Sequence, residues 1–366
     1  MWKKPLPRRI LTLTLLFGLF FSLVGPLSVV PSVEAASASA TRRIVKKLKK
    51  KIKKLTKQLA IARRPVIVPG PVSFIEMVTV GNAGNGTDAG NASEASVYGA
   101  VAETFQIGKY EVTNAQYAVF LNAVAATDAY GLFNTDMESN ARGGIRQTGA
   151  DGSYGYTAKS AMCDKPVTYV SWFDCARFCN WLHNGMATGA QDASTTEQGA
   201  YTLDGETSGR LDITRNAGAK YWIPSEDEWY KAAYHQPSGD GGDTDDYWLY
   251  PTMSNGVPTE GMVNAFGEIT NDTANIANHN GGADWNGQDG NVTTVGSGGA
   301  GSASFYGAFD MGGNVWEWND AVNSVSFRGL RGGSWLDFES FLRSSFRSSY
   351  DPGSEGSAIG FRVASP

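Results

Sequence analysis

Helical spacing of apolar residues is the clearest pattern in the chain, and it appears three times behind a capping residue. The three caps, each with a polar residue three positions later that completes a capping box, are Thr113 with Gln116, Ser171 with Asp174 and Ser225 with Glu228. The apolar faces that follow are Tyr117, Phe120, Leu121 and Val124; Cys175, Phe178, Cys179 and Leu182; and Trp229, Ala232 and Ala233. This spacing predicts three helices, the second ending near Gly185.

Shorter apolar stretches predict strands. Residues 74–80 and 105–112 are each rich in β-forming residues and lie beside Gly-rich or polar segments. From residue 236 to residue 304 the chain is mostly Gly, Asn, Asp, Thr and Ser, a long loop that bound ions or local packing should hold. With ten Trp and 44 Gly, the sequence predicts an α+β fold that is rich in loops and poor in regular secondary structure.

The N-terminus has the pattern of an export signal. Four basic residues within the first nine precede an apolar stretch at 10–24, and Val33-Glu34-Ala35 has the small residues of a cleavage site. We therefore expect a signal peptide at 1–35 and an exported protein that is periplasmic, secreted or held at the cell surface. An uncleaved membrane anchor is the alternative, because apolar residues continue to Val30.

Residues 36–71 are predicted to form a basic amphipathic helix and a Pro-rich linker, with one domain at 72–366. The helix, at 42–64, carries twelve positive charges and no acid, and its apolar residues fall on one face. Such a helix is typical of a segment that binds an anionic membrane surface or an acidic cell-wall polymer. A short coiled coil or a solvated spacer is an equally good interpretation.

Charge is distributed unevenly between the two ends. Residues 1–64 hold 16 of the 31 Lys and Arg residues and one acid, which leaves 15 basic and 35 acidic residues for 65–366. An acidic domain is not expected to bind nucleic acid. The three cysteines, Cys163, Cys175 and Cys179, leave at least one thiol unpaired within the chain. The pair at 175 and 179 is expected to be buried.

Several short segments resemble one known family. In chain order they are Tyr110–Asn114, Pro166–Trp172, Ile223–Trp229, Gly312–Trp318, and finally Arg331–Trp335 with Gly360–Val363. Each segment alone is a weak signal, but together they span nearly all of 72–366 and resemble the formylglycine-generating enzymes, or sulfatase-modifying factors. The resemblance implies a fold of the C-type-lectin kind, usually stabilised by calcium.

One segment departs from the family pattern at the positions that carry its chemistry. The family's oxidase uses two cysteine thiolates to bind copper and activate oxygen. Counted from Gly332, those two positions hold Asp337 and Leu342 in this chain. Cu(I) prefers soft sulfur ligands, so copper is not expected here. The chain therefore resembles a pseudoenzyme.

The resemblance also implies two calcium sites. The first maps to Asp310, the backbone carbonyls of Gly313 and Val315, and the Glu317 carboxylate. Glu317 lies between Trp316 and Trp318, and a carboxylate buried among indoles needs a partner, for which a cation would serve. The second site maps to Asn275, Ile276, Asp289 and Asn291. These Asn and Asp residues could instead simply form turns.

Residues around the family's substrate cleft complete the predicted site. They are Trp316, Ser334, Trp335, Asp337, Glu339, Arg343 and Arg347. Arg343 and Arg347 could grip a carboxylate or a sulfate together, or pair with Asp337, Glu339 or Asp351 at the surface. The sequence thus favours an exported, bacterial-type binding module for a peptide or an acidic glycan. The alternatives are an active enzyme of this family, either a formylglycine generator or a different oxidase with carboxylate ligands at Asp337 and Glu339, and an envelope protein without a ligand.

Overall fold

The structure is a computed structural model, and it describes residues 46–53, 74–90, 98–271, 273–323 and 326–366. The chain divides into two compact units, Met1–Val66 and Ile67–Pro366. In the first unit residues 46–53 are helical and exposed. The predicted signal peptide, the rest of the basic helix and the linker lie outside the described residues. Among the helices that are described, none is both long and apolar enough to span a membrane.

The three helices predicted from capping boxes are confirmed. The second unit has, within its described residues, four α-helices: α1 Asn114–Val124, α2 Asp136–Ser139, α3 Trp172–His183 and α4 Glu226–Tyr234. Thr113, Ser171 and Ser225 each accept a hydrogen bond from the backbone amide three residues on, and the side chain there bonds back to the cap. Helix α3 ends where Gly185 adopts a positive φ of 74°.

The strands are short. Their bounds are β1 Met77–Val80, β2 Phe105–Gly108, β3 Ile145–Thr148, β4 Gly155–Ala158, β5 Thr259–Glu260, β6 Ile276–Ala277, β7 Trp316–Val322, β8 Arg328–Arg331, β9 Ser348–Tyr350, β10 Ile359–Gly360 and β11 Ala364–Ser365. They pair in the orders β1-β2-β11, β10-β7-β8-β9, β3-β4 and β5-β6. The pairs β10-β7 and β5-β6 are parallel, and the others are antiparallel. This loop-rich α+β architecture confirms the predicted fold class.

Both predicted strands exist but are shorter than expected. The segment 105–112 leaves its ladder after Gly108, because Val112 donates instead to the carbonyl of Phe361 and Thr113 caps α1. The segment 74–80 pairs only from Met77. Local composition therefore located these strands, but contacts with the C-terminal segment set where they end.

Helix α3 is the centre of the main core. The sequence predicted one apolar face, and Cys175, Phe178, Cys179 and Leu182 are indeed buried. The opposite side is buried as well, because its polar residues find partners. Arg177 forms an ion pair with Glu197 at 2.7 Å, and the Asn180 amide donates to two backbone carbonyls. Residues 172–182 are therefore all buried, although the sequence predicted only one apolar face.

The loop at 236–304 is held largely by side chains that bond to its own backbone. The Asn271 amide donates to the Glu260 carbonyl at 2.9 Å, and the Asn275 amide donates to Gly256 at 3.1 Å. The Asn278 amide donates to the Asn291 carbonyl at 2.9 Å. Local packing, one of the two explanations offered for this loop, is therefore present within its described residues.

Candidate functional site

The segment after β8 places the two residues that replace the family cysteines. Gly332 and Gly333 turn the chain with φ values of 98° and 71°. Asp337 then folds back on the turn, and its carboxylate accepts from the Ser334 amide at 3.0 Å and from the Ser334 hydroxyl. Ser334 is fully buried. The carboxylate at the first cysteine position thus caps a turn.

Leu342 closes the short 3₁₀ turn Glu339–Leu342 and is fully buried. It packs with Tyr250 and Ala277, and its carbonyl accepts from the Tyr234 hydroxyl at 3.0 Å. The fit is tight on the opposite side, since a Cβ on Gly333 would lie 2.8 Å from the Leu342 Cδ1 atom. The second cysteine position is therefore filled by hydrocarbon that belongs to a packed cluster.

The cysteines that the chain does contain lie in other surroundings. Cys175 and Cys179 are buried on α3, Cys163 is half-buried, and all three are free thiols. Burial raises the pKa of Cys175 and of Cys179 well above the usual value, and it also raises the pKa of Cys163. The thiolate is the form that binds metal and attacks electrophiles, so these surroundings disfavour both reactions.

Glu317 does have a cationic partner, and it is a side chain. Both carboxylate oxygens accept from the Arg362 guanidinium at 2.6 Å, and Trp229 donates to one of them, also at 2.6 Å. Glu317 and Arg362 are almost completely buried. The sequence identified the need for a cation here, but it missed Arg362 because that residue lies 45 positions further along the chain.

The rest of the first predicted calcium site is rich in buried carboxylates. The Asp310 carboxylate accepts from the Gly296 amide, and burial raises its pKa to about 6. Burial also raises the pKa of the nearby Glu111 well above its usual range. One Glu111 oxygen accepts from the Asn314 amide, and the other has no partner among the described residues. Arg362 balances only part of this charge.

These residues fit a calcium ion in part. The donors are hard oxygens, as calcium prefers, and one Glu111 oxygen has no partner among the described residues. Glu317 fits poorly, because its two oxygens are already bonded to Arg362 and Trp229. The described ranges contain no group of three or more His, Cys, Asp or Glu residues arranged to hold a metal ion. Calcium at Asp310, Gly313, Val315 and Glu317 stays a prediction.

The residues of the second predicted calcium site have separate surroundings. The Asn275 side chain bonds to Thr252, Gly256 and Val257, and Ile276 is in β6. The Asn291 side chain is fully buried and bonds to the next amide, whereas Asp289 is exposed and its carbonyl accepts from Arg142. Both Asn side chains serve loop geometry, which was the alternative interpretation. Calcium at Asn275, Ile276, Asp289 and Asn291 also stays a prediction.

The tryptophans of the predicted cleft are mostly covered. Trp316 is 8% exposed, and its ring centroid lies 6.4 Å from that of Phe341. Trp335 is 4% exposed, and the Arg142 guanidinium lies 4.4 Å from its ring centroid. In this arrangement the two indoles serve mainly as packing, so they offer a ligand little surface.

The two arginines of the predicted cleft do not act together. Arg347 pairs with Glu226, which also binds the buried Arg331. Arg343 is exposed and donates through Nε to the Tyr250 hydroxyl at 3.0 Å. Neither Arg forms an ion pair with Asp337, Glu339 or Asp351, the partners expected from sequence. Arg347 thus shares the Glu226 carboxylate with Arg331, and a joint grip of Arg343 and Arg347 on a carboxylate or sulfate stays a prediction.

An open pocket of about 490 Å³ adjoins the Asp337 segment. Its lining comprises Val257, Pro258, Thr259, Glu260, Met262, Asn271, His279 and Glu339. Sequence reasoning had singled out only Glu339, because the rest come from the loop at 236–304. That loop is joined to the Asp337 segment by a hydrogen bond of 2.7 Å from the Asn280 amide to the Asp337 carbonyl. The Asn280 side chain also donates to Glu260.

Large apolar side chains are exposed at and beside this pocket. Val257 and Met262, in the lining, are 53% and 64% exposed. Leu336 and Phe338, just before Glu339 in sequence, are 63% and 62% exposed. We call these four residues the apolar rim. Exposed apolar side chains that gather in one place are typical of binding surfaces.

The fold is a loop-rich α+β architecture, and comparison with known proteins gives its family. The family model for the sulfatase-modifying factor enzyme 1-like domain matches residues 65–366. The chain belongs to this family, which confirms the resemblance. No curated protein sequence matches it significantly.

Comparison with solved structures finds matches of low identity. The crystal structure of CarF is 23% identical, with 80% of this chain and 98% of that chain covered and a TM-score of 0.46. Treponema denticola variable protein 1 is 19% identical, with coverage of 79% and 94% and a TM-score of 0.43. PvdO from Pseudomonas aeruginosa is also 19% identical, with coverage of 80% and 91% and a TM-score of 0.40.

Proposed function

We propose that this chain is a member of the sulfatase-modifying factor family that binds peptides and has no oxidase activity. The observation that carries the proposal is the state of the two cysteine positions. Asp337 is committed to the turn at Ser334, and Leu342 is packed among Tyr250 and Ala277. A hard carboxylate and a hydrocarbon cannot supply the two soft ligands that Cu(I) needs.

Charge favours a peptide over an acidic glycan. The pocket beside the altered positions contains the carboxylates of Glu260 and Glu339 and has no Lys or Arg in its lining. Residues 65–366 as a whole carry 35 acidic and 15 basic residues. An acidic polymer would meet like charge there, whereas the apolar rim suits the side chains of a peptide.

The proposed place of action is outside the cytoplasm, at the cell surface. The signal-like pattern at 1–35 would direct export, and the basic segment 42–64 would attach the domain to an anionic membrane surface or an acidic cell-wall polymer. An acidic binding domain with a basic attachment segment would combine both tasks in one chain.

A direct test of the missing activity uses a sulfatase-type substrate. The protein is incubated with copper and a peptide that contains the Cys-x-Pro-x-Arg motif, and the peptide mass is followed. We expect the cysteine to stay unchanged. Conversion of that cysteine to formylglycine would overturn the proposal.

Binding is tested on arrays of short peptides and of acidic glycans. We expect retention on peptides and not on glycans. The variant Leu336→Ser/Phe338→Ser, which alters two exposed residues of the apolar rim, should weaken peptide binding about tenfold, because it removes apolar area that the peptide would bury. The matched control Val119→Ser/Leu249→Ser also removes two exposed apolar side chains, 40% and 39% exposed, and should bind like the parent chain. Retention on glycans alone would contradict the proposal.

A further inference from the structure

We propose that Met262 is an oxidation site, and that its conversion to methionine sulfoxide by hydrogen peroxide lowers the affinity of the apolar rim for peptides. This inference rests on the proposed function, since it presumes that the rim binds a peptide. It adds control of that binding by an oxidant. The side chain concerned lies in the lining of the pocket of about 490 Å³.

Exposure distinguishes Met262 from the other methionines in the described ranges. It is 64% exposed, the highest value among the large apolar side chains there. The other methionines are buried or half-buried: Met77, Met137, Met162, Met186, Met253 and Met311. An oxidant reaches a thioether from solvent, so access decides which methionine reacts first. Met262 is therefore expected to react before the others.

The backbone that carries Met262 is held by hydrogen bonds on both sides. The Met262 amide donates to the Asn271 side-chain oxygen at 2.9 Å, and the Met262 carbonyl accepts from the Thr270 amide at 2.8 Å and from the Thr270 hydroxyl at 3.1 Å. The next residue, Val263, forms a bridge with the buried Ile269. The thioether thus stands on a fixed segment, and its exposure is a property of the fold.

The reaction needs only the thioether and the peroxide. The sulfur lone pair attacks one oxygen of hydrogen peroxide, and the O–O bond breaks. The departing hydroxide takes the proton from the transferred oxygen and becomes water, so that sulfur is oxidised by two electrons and peroxide is reduced by two. The product, methionine sulfoxide, is polar, and methionine sulfoxide reductases convert it back to the thioether.

The new sulfoxide would stand where the rim is apolar. Met262 shares the pocket lining with Pro258 and with Val257, which is 53% exposed. A peptide side chain that packs there would have to strip water from the sulfoxide oxygen, and burying a polar group without a hydrogen bond is costly. Oxidation would therefore weaken this contact while leaving Leu336 and Phe338, in the neighbouring segment, unchanged.

The test treats the full chain with hydrogen peroxide and follows the products by peptide mass spectrometry. We expect Met262 to gain one oxygen at least about tenfold faster than the buried Met137, Met162 and Met311, because oxidation follows exposure. On the peptide array the oxidised chain should bind about fivefold more weakly than the untreated chain, since apolar contact area is lost. Methionine sulfoxide reductases should restore the binding. Fluorescence of Nile red, a neutral dye that binds apolar surface, should fall in parallel with oxidation.

Three variants assign the effect to this sulfur. Met262→Leu keeps an apolar side chain without sulfur, so peroxide should leave this variant's own level of peptide and dye binding unchanged. Met262→Gln imitates the polar product and should bind weakly before any treatment. The matched control Met77→Leu makes the same exchange at a half-buried methionine outside the pocket lining, and it should stay as sensitive to peroxide as the parent chain.

Oxidation of a buried methionine before Met262, or full conversion of Met262 with unchanged peptide and dye binding, would overturn the inference. An equal loss of binding in Met262→Leu would also overturn it, because the effect would then come from another residue, such as the half-buried Cys163. Silence of the untreated chain on the peptide array would overturn the proposed function. The mass and dye measurements would then still decide whether oxidation of Met262 controls the apolar rim.

Discussion

At the scale of single residues, the two positions that hold catalytic cysteines in the family hold structural residues in this chain. Asp337 and Leu342 have the same places in the chain as two family cysteines, yet each is now tied to its neighbours. Asp337 caps the Ser334 turn, and Leu342 fills the space between Gly333 and Tyr250. Both roles are structural, so substitutions at these positions should lower the free energy of unfolding.

Truncating Leu342 tests the packing role. Leu342→Ala should lower the free energy of unfolding by about 2–5 kcal/mol, because a fully buried Leu leaves a cavity when it is shortened. Urea unfolding followed by Trp fluorescence measures the change. Leu336→Ala, at a position 63% exposed in the same segment, is the control and should change stability by less than about 0.5 kcal/mol. Equal effects of the two variants would show that Leu342 is not packed as described.

The buried pair of Glu317 and Arg362 leads to a second prediction. Glu317→Gln should destabilise the fold by about 3–5 kcal/mol, because the Arg362 guanidinium would keep a buried charge without its partner. Adding Arg362→Met to this variant should recover part of the loss, since neither charge then remains. Thermal unfolding of the two single variants and the double variant measures the coupling. Additive effects would contradict the pairing.

Chelation tests calcium binding at this site. If calcium binds at Asp310 and its neighbours, chelation with EGTA should lower the melting temperature of the parent chain, because a ligand bound only to the folded state stabilises it. Asp310→Asn should reduce that fall in melting temperature if calcium binds at the first predicted site. Asp289→Asn should reduce it if calcium binds at the second. A melting temperature unchanged by EGTA and by added calcium would remove both calcium predictions.

At the scale of elements, helix α3 begins with a capping box whose carboxylate is buried by the rest of the fold. Its capping box could be predicted from Ser171 and Asp174 alone, because both partners lie within four residues. Burial of that carboxylate could not, since it depends on segments far away in sequence. Burial, followed by the nearby Glu355, raises the pKa of Asp174 to about 7. Asp174, which completes the capping box of α3, therefore titrates near neutral pH.

This shifted pKa predicts how stability depends on pH. The folded-state pKa lies above the usual value of 3.8, so the native state binds the proton more tightly than the unfolded chain does. The stabilisation is complete below about pH 4 and is lost as the pH rises to about 7, with a slope of up to about 1.4 kcal/mol per pH unit. Asp174→Asn, which keeps an acceptor for Ser171, should remove this part of the slope. Parallel urea-unfolding profiles for both proteins from pH 4 to pH 8 would contradict the assignment.

The same contrast explains how much of the structure was predictable. Caps, helix faces and the family motifs are local patterns, and they gave α1, α3, α4 and the fold class correctly. Strand ends, the Arg362 partner of Glu317 and the Glu226 partner of Arg347 depend on residues that meet only after folding. The pocket escaped prediction for the same reason, because its two carboxylates lie 79 positions apart, at 260 and 339. Only Glu339 could be placed near the cleft from its neighbours.

At the scale of the whole molecule, the segregation of charge determines the last prediction. The basic segment 42–64 should bind vesicles of phosphatidylglycerol and not vesicles of phosphatidylcholine, because each Lys or Arg near an anionic surface contributes about 1 kcal/mol. Raising the salt from about 0.05 M to about 0.5 M should release the protein, since screening then acts within a few ångströms. Replacing Lys46, Lys47, Lys49, Lys50, Lys51 and Lys53 by Gln removes charge while keeping length, and should abolish binding in vesicle sedimentation.

The pocket variant Glu260→Gln/Glu339→Gln should sediment like the parent chain, so that attachment and peptide recognition are separable. Sedimentation of the Gln-substituted segment with anionic vesicles would contradict an electrostatic attachment, and binding of the parent chain to an acidic cell-wall polymer alone would identify that polymer as its surface.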